Sequence, residues 1–132
     1  MDNLARVKAV YQAFTRGALT EVVEQLHHSV HWYEAESSPY ADGNPYVGPD
    51  EVAGGVFQRL QKDYPDLQIL AERYYEMDNK VVVEGRYKGL HHVTKKPLDA
   101  QFVHVWQLKD GRVSQFRQFT DTLKWRLNAF SL

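Results

Sequence analysis

The 132-residue sequence contains no cysteine, which excludes disulfides, thiolate catalysis and cysteine-based zinc sites. It also lacks an excess of positive charge. The formal net charge is −1 with histidine neutral, so no basic field is present to hold a nucleic acid. No apolar run approaches the length of a membrane span, and the first residues, MDNLARVKAV, contain no apolar core of a signal peptide. We therefore expect a cytoplasmic protein with neither a nucleic-acid nor a membrane partner.

The common motifs of nucleotide, metal and serine-hydrolase sites are missing as well. The sequence has no Walker loop, no GxGxxG and no GxSxG, so phosphate, dinucleotide and serine-hydrolase sites lack support. His27 and His31 have the four-residue spacing of a helical metal-binding pair. However, the pattern changes from helix to strand between them, and no third ligand is placed. The sequence therefore predicts neither a metal ion nor a cofactor.

Aromatic side chains, in contrast, are plentiful. The chain has 8 Tyr, 6 Phe and 3 Trp, and 43% of its residues are hydrophobic, which is enough to bury a core in one domain spanning residues 1–132. Because Tyr and Trp each carry a polar tip, so many of them indicate a cavity or an interface as well as a core.

Hydrophobic periodicity divides the chain into helices followed by strands. Apolar residues spaced by three and four predict helices over 3–15, from about Thr20, and over 51–62. The tail, TLKWRLNAFSL, is expected to dock against the domain. This order predicts an α+β fold in which a curved antiparallel sheet wraps around N-terminal helices and leaves a central pocket on its concave face. Strands are predicted over 29–36, 67–77, 81–91, 99–108 and 113–120.

Titratable side chains stand among large apolar ones at three places. Glu34 shares a strand face with a tryptophan, and a carboxylate that faces an apolar pocket has the raised pKa of a general acid or base. The alternative is an edge strand with Glu34 in solvent. His104 lies between Phe and Trp on one strand face, as either a pocket residue or a hydrogen-bonded core histidine. Asp121, at the end of the last strand, is either a pocket acid or the cap of the tail.

Three segments carry a resemblance that covers nearly the full chain: VKAVYQAFTRGALTEVVEQLHHSVHWYEA, YVGPDEVAGGVF and FVHVWQLKDGRVSQFRQFTDT. With these segments, the sequence resembles the SnoaL-like branch of the nuclear transport factor 2 and ketosteroid isomerase superfamily. The resemblance implies a cone-shaped, cystatin-like α+β barrel with a central pocket. It also implies a homodimer through the outer face of the sheet, where Tyr75, Val105 and Phe116 are expected to supply apolar area.

The same resemblance assigns roles to single residues. Glu34 falls where ketosteroid isomerases place their proton-shuttling carboxylate, and His104 falls where they place a protonated Asp that donates to the enolate oxygen. Asp121 matches the last-strand aspartate of polyketide cyclases and limonene-type epoxide hydrolases, which favours the pocket acid over the cap. The catalytic tyrosine of the first helix is replaced by Ala9, and Tyr11 is expected on a different helix face. This replacement argues against simple ketosteroid chemistry.

The sequence thus predicts cofactor-independent proton transfer on a small, mostly apolar carbonyl or polyketide-like compound, with Glu34 or Asp121 as the base and His104 steadying the oxyanion. The alternatives are a non-catalytic ligand-binding or protein-interaction domain of the same fold, and a subunit of a larger oxidative complex. A carboxylate of raised pKa in an apolar cavity favours the enzyme, whereas a paired or solvated carboxylate, or a filled cavity, favours a non-catalytic domain. The predicted pocket residues are Trp32, Tyr40, Tyr46, Phe57, Tyr87, Trp106, Gln118 and Phe119.

Overall fold

The computed structural model describes residues 1–130, and in this range helices come first and a meander of long strands follows. This order confirms the predicted α+β fold. A π-helical turn, Ala53–Phe57, joins the helix Pro49–Val52 to the helix Gln58–Asp63. No helix within residues 1–130 has the length and apolar character needed to cross a membrane. The elements are α1 (Asn3–Thr15), α2 (Leu19–Glu24), β1 (Leu26–Tyr33), β2 (Tyr46–Val47), α3 (Pro49–Val52), α4 (Gln58–Asp63), β3 (Gln68–Met77), β4 (Lys80–Leu90), β5 (Pro97–Lys109), β6 (Arg112–Thr120) and α5 (Thr122–Ala129).

The six strands form one curved sheet in the order β2-β1-β6-β5-β4-β3. Neighbouring strands run antiparallel except for β1 and β6, which are parallel. The short β2 and the long β3 remain as edges, so the sheet curves without closing into a barrel. The parallel pair sets the end of β1 beside the second half of β6, and Trp32 is paired with Phe116 there.

The core lies between the concave face of the sheet and α1. Alternate residues of β4 and β5 point inward, as the period of two predicts, and Trp106 is fully buried among them. Helix α1 packs its Val7, Val10 and Tyr11 face across β3 and β4. Of the apolar residues in the tail, Trp125 is buried, while Leu123, Leu127 and Phe130 are exposed. The tail therefore docks through its tryptophan, and residues 131–132 lie outside the described range.

A bulge in β6 reverses which of its residues face inward. The pairing with β5 runs from Gln107–Gln115 directly to Leu108–Val113, so Ser114 is an extra residue in β6. Because side chains alternate along a strand, the bulge moves the inward face from Val113 to the even-numbered residues that follow it.

Two predictions are corrected by this bulge. Phe116, expected on the outer face, is buried and stacks on Trp32 with 3.8 Å between ring centroids. Phe119, expected in the pocket, is 54% exposed. On the outer face Tyr75 is exposed and Val105 is half-buried. The homodimer through that face stays a prediction.

Gly85 on β4 lies where β3 bulges between Ala71 and Arg73. A Cβ at Gly85 would stand 2.1 Å from the Leu70 carbonyl oxygen, so the backbone would have to move. We expect Gly85→Ala to lower the free energy of unfolding by about 2 kcal/mol, measured by urea denaturation.

The matched control is Gly54→Ala in the exposed part of the π-helical turn, where a new Cβ meets nothing within 4 Å. This substitution should stabilise the protein by about 0.5 kcal/mol, because alanine loses less backbone entropy on folding. Equal effects of the two substitutions would contradict the close backbone approach at Gly85.

Candidate functional site

The concave face encloses a small cavity of about 30 Å³, roughly the space of one water molecule. Its wall is mainly aromatic and aliphatic, and a few polar groups converge on it. One carboxylate, one imidazole, one amide and one phenol take part. The lining residues are Phe14, Trp32, Glu34, Val56, Phe57, Leu60, Ile69, Tyr87, His104, Trp106, Phe116 and Gln118.

Glu34 lies just beyond the end of β1 and is 4% exposed. Its side chain accepts two hydrogen bonds, from Trp32 Nε1 at 2.7 Å and from Gln118 Nε2 at 2.9 Å. Its backbone is held as well. Asn44 Oδ1 accepts from the Glu34 amide at 2.9 Å, and Asn44 Nδ2 donates to the Glu34 carbonyl at 2.7 Å. Glu34 is therefore held by hydrogen bonds at both its backbone and its carboxylate. The predicted alternative of a solvated Glu34 does not hold.

Burial raises the pKa of Glu34 from 4.5 to about 7, while the hydrogen bonds from Trp32 and Gln118 and the charge of Arg59 act to lower it. Arg59 itself forms an ion pair with Asp42 at 2.8 Å, and none of the ion pairs among residues 1–130 includes Glu34. Near neutral pH, Glu34 can therefore exist in either protonation state, as a general base or acid requires.

His104 is 3% exposed and uses both ring nitrogens. Nδ1 lies 2.7 Å from the hydroxyl of Tyr11, and Nε2 lies 2.7 Å from the hydroxyl of Tyr87. Burial lowers the pKa of His104 to about 3, with a hydrogen bond to Gln118 acting in the opposite direction. The imidazole is therefore neutral. Both predicted alternatives for His104 hold together, since it is a hydrogen-bonded core histidine that also lines the cavity.

Tyr11 belongs to the site, although the sequence did not predict it there. The expectation that Tyr11 faces away from the site is wrong, because its hydroxyl contacts His104 and accepts from Trp106 Nε1 at 2.8 Å. The signal was present in the sequence. Tyr11 shares the apolar helix face of Val7 and Val10, and a phenol on a buried face needs a hydrogen-bond partner.

Asp121 is not brought into this network. It directly precedes α5 and is half-buried, and it lines a surface groove of about 480 Å³ together with Glu72, Glu84 and Gln101. Its backbone oxygen accepts from the Lys124 amide at 3.1 Å. Asp121 thus occupies the position of the predicted cap, although its side chain makes no capping hydrogen bond.

Of the eight predicted pocket residues, five line the cavity: Trp32, Phe57, Tyr87, Trp106 and Gln118. Tyr40 and Tyr46 are buried but do not line it. The hydroxyl of Tyr40 donates to Asp63 Oδ2 at 2.7 Å, and that of Tyr46 donates to the Tyr40 carbonyl at 2.6 Å. Tyr46 thereby satisfies a backbone carbonyl of the loop that follows β1, and Tyr40 links that loop to Asp63 at the end of α4.

A second cavity of about 90 Å³ adjoins the first, towards solvent between α1, α4 and β3. The two cavities share four lining residues, Phe14, Phe57, Leu60 and Ile69. These apolar side chains therefore form the partition between the outer cleft and the buried carboxylate.

The family model of the SnoaL-like domain matches residues 7–116. The chain belongs to the SnoaL-like domain family. No curated protein sequence matches this SnoaL-like chain.

Solved structures place the SnoaL-like chain in the NTF2-like superfamily. An NTF2-like protein from Burkholderia thailandensis E264 is 26% identical over 96% of this chain and 95% of its own, with a TM-score of 0.89. TerC, co-crystallised with polyporic acid, is 19% identical over 96% of both chains, with a TM-score of 0.83. IdmH from Streptomyces antibioticus, a candidate polyketide cyclase, is 16% identical over 98% of this chain and 99% of its own, with a TM-score of 0.81. The last two similarities concern the fold alone.

Tyr11→Phe removes one oxygen and leaves two buried groups, Trp106 Nε1 and His104 Nδ1, without their partner. We expect it to lower the free energy of unfolding by about 2 kcal/mol, measured by urea denaturation. Tyr74→Phe is the control, because Tyr74 packs edge-on against Tyr11 and is only half-buried. If Tyr11→Phe lost no more stability than Tyr74→Phe, the hydrogen bonds of the Tyr11 hydroxyl would not contribute specifically to stability.

Glu34 should make stability depend on pH. Since its folded pKa is raised, the folded state retains a proton between pH 4.5 and about 7 that the unfolded chain releases. The contribution of Glu34 is therefore complete below pH 4.5 and is lost as the pH rises through about 7. The loss is on the order of 3 kcal/mol.

The measurement is the free energy of unfolding of wild type relative to Glu34→Gln across this pH range. The wild type is expected to become progressively less stable relative to the variant as the pH rises. Glu36→Gln, at an exposed carboxylate two residues away, should show no such trend. A flat difference for Glu34→Gln would contradict the raised pKa.

Proposed function

We propose that this SnoaL-like protein is a cofactor-independent acid/base enzyme that transfers a proton on a small, mostly apolar carbonyl or polyketide-like compound. The observation that carries the proposal is the buried, arginine-free carboxylate of Glu34, held beside neutral hydrogen-bond donors in an apolar wall. Such a group can accept a proton from carbon near neutral pH without being neutralised by an ion pair.

Glu34 is the proposed base. It would take the proton from the carbon next to a carbonyl group, and the electron pair of the broken C–H bond would move onto the carbonyl oxygen. Returning the proton to another carbon completes an isomerisation. Attack of the enolate carbon on a second carbonyl within the substrate forms a ring, and protonated Glu34 then gives its proton to the new alkoxide oxygen. In both reactions the protein supplies only a proton acceptor and a stabilised oxyanion.

Tyr87 and His104 are the proposed oxyanion donors. Both line the cavity, and they lie within hydrogen-bond distance of each other and of the Gln118 amide oxygen. Burial raises the pKa of Tyr87 well above its ordinary value, so its hydroxyl keeps its proton. His104 donates as the neutral imidazole, which Tyr11 and Trp106 hold from behind. Asp121, which lies outside this network, has no role in the proposed reaction.

The names of two structural relatives agree with a ligand of this kind. TerC was co-crystallised with polyporic acid, and IdmH is a candidate polyketide cyclase. We propose a ligand of comparable aromatic or polyketide character, because the cavity wall offers large aromatic faces and few charges.

One observation favours the non-catalytic alternative. The cavity beside Glu34 holds about 30 Å³, which is too small for an organic molecule unless some of its lining side chains move. If this cavity never opens, the interior has no space for a ligand, and the domain would function through its surface.

Proton exchange tests the proposal directly. The wild-type protein is mixed in D₂O with 2-tetralone and with a linear aryl ketone, and the loss of α-proton signal is followed by NMR. We expect exchange that rises with pH through an apparent pKa of about 7, since the base form of Glu34 is the active form. Glu34→Gln should lose on the order of 100-fold or more of the rate.

The control is Glu76→Gln, at an exposed carboxylate on β3 away from the site, which should exchange at the wild-type rate. Binding of a ketone without any exchange above the buffer rate would instead support the non-catalytic alternative. Exchange that persists in Glu34→Gln would exclude Glu34 as the base.

A further inference from the structure

Gln118 joins the two halves of the site through a single side chain that is 6% exposed. Its Nε2 donates to Glu34 Oε1 at 2.9 Å. Its Oε1 accepts from the hydroxyl of Tyr87 and lies 3.1 Å from His104 Nε2. One planar amide therefore spans the distance from the carboxylate to the two neutral donors.

The positions of the protons around this amide follow from its contacts. The single hydroxyl proton of Tyr87 is used on Gln118 Oε1, so the contact of 2.7 Å between Tyr87 and His104 Nε2 requires the proton to be on Nε2. Because His104 is neutral, its Nδ1 then accepts from Tyr11, which in turn accepts from Trp106 Nε1. The Tyr87 O–H therefore points towards the Gln118 amide oxygen, and the His104 Nε2–H is shared between the Tyr87 oxygen at 2.7 Å and the Gln118 amide oxygen at 3.1 Å.

This amide has the atom order of an enolisable carbonyl compound. Its oxygen, planar carbon and N–H correspond to the oxygen, planar carbon and α-C–H of a ketone. The oxygen sits where two donors converge, which is the environment that stabilises an enolate oxygen. The N–H faces the carboxylate that would accept a proton.

We propose that the Gln118 side chain is an internal occupant of the reaction site, and that its amide marks a subsite for a planar carbonyl or amide ligand. Gln118 must turn aside before such a ligand can bind. The choice of an enolisable carbonyl as substrate rests on the proposed function, whereas the presence of an amide-binding subsite does not.

The surroundings of Gln118 leave room for this rotation. Beside the inner cavity lies a surface depression of about 280 Å³, close to the lower size limit of ligand pockets. Glu34 and Gln118 line both spaces. Movement of the Gln118 side chain into the depression would therefore join the two spaces, and would supply the volume that the inner cavity lacks.

Gln118→Ala tests the proposal with acetamide, CH₃–CO–NH₂, which matches the CH₂–CO–NH₂ group that the substitution removes. Acetamide can regain the contacts to Glu34, Tyr87 and His104, so we expect it to bind the variant at least about tenfold more tightly than the wild type. Binding is measured by ¹H–¹⁵N NMR titration of the protein. Gln118→Leu, which refills the space without polar atoms, and Gln115→Ala, on the same strand, should bind no better than the wild type.

A folded Gln118→Ala protein that binds acetamide no better than Gln118→Leu would overturn the proposal. If the alanine variant does not fold, Gln118→Thr, with a shorter side chain suited to a strand, is titrated in its place. Tighter acetamide binding than in Gln118→Leu supports the proposal, and equal binding overturns it. Because no turnover is measured, this result is independent of the proton-exchange experiment. If the wild-type protein shows no proton exchange but Gln118→Ala binds acetamide as expected, the result counts against the proposed function and leaves the amide-binding subsite intact.

Discussion

The burial of one carboxylate constrains most of this structure. Glu34 is buried away from solvent. A buried carboxyl group is tolerated only where hydrogen-bond donors contact both of its oxygens or where it takes up a proton. Trp32 and Gln118 supply the donors, and the raised pKa shows that they compensate only part of the lost hydration. The remaining polar groups follow from this requirement. Once Gln118 is fixed on Glu34, its oxygen needs donors, and Tyr87 and His104 provide them.

The fold brings these groups together from distant parts of the chain. The parallel pairing of β1 with β6 places the residue after β1 beside the second half of β6, so that Glu34 and Gln118 meet across 84 positions of sequence. The bulge at Ser114 then turns Gln118 inward. Asn44, in the loop after β1, fixes the backbone of Glu34 on its other side. The position of the carboxylate thus depends on a strand pairing, a bulge and a loop contact together.

The hydrogen-bond donor of this site is a neutral imidazole, whereas the related site described above uses a protonated carboxyl group. A neutral imidazole can donate through one nitrogen only if the other is held as an acceptor, and the Tyr11 hydroxyl does this for His104. Because Trp106 Nε1 donates to the Tyr11 oxygen, the Tyr11 hydroxyl proton is directed to His104 Nδ1. The hydrogen bonds from Trp106 through Tyr11 thus fix the proton of His104 on Nε2, beside Tyr87 and Gln118, and the donors at the cavity are oriented before any ligand arrives. Such preorganisation lowers the reorganisation that a developing oxyanion would otherwise require.

The sequence by itself determined the α+β order, most strand positions and the burial of His104, and it left Glu34 open between a buried and a solvated position. Periodicity and the mixture of aromatic with titratable residues are local properties, and they survive in the fold because each strand has one buried face. Only the tertiary structure decided the roles of Tyr11, Gln118 and Asp121. An extra residue in β6 reversed the parity that places Phe116 and Phe119, and no local pattern marks such a bulge. Likewise, the hydroxyl of Tyr11 is assigned to His104 by a contact 93 residues away, which depends on how α1 crosses the sheet.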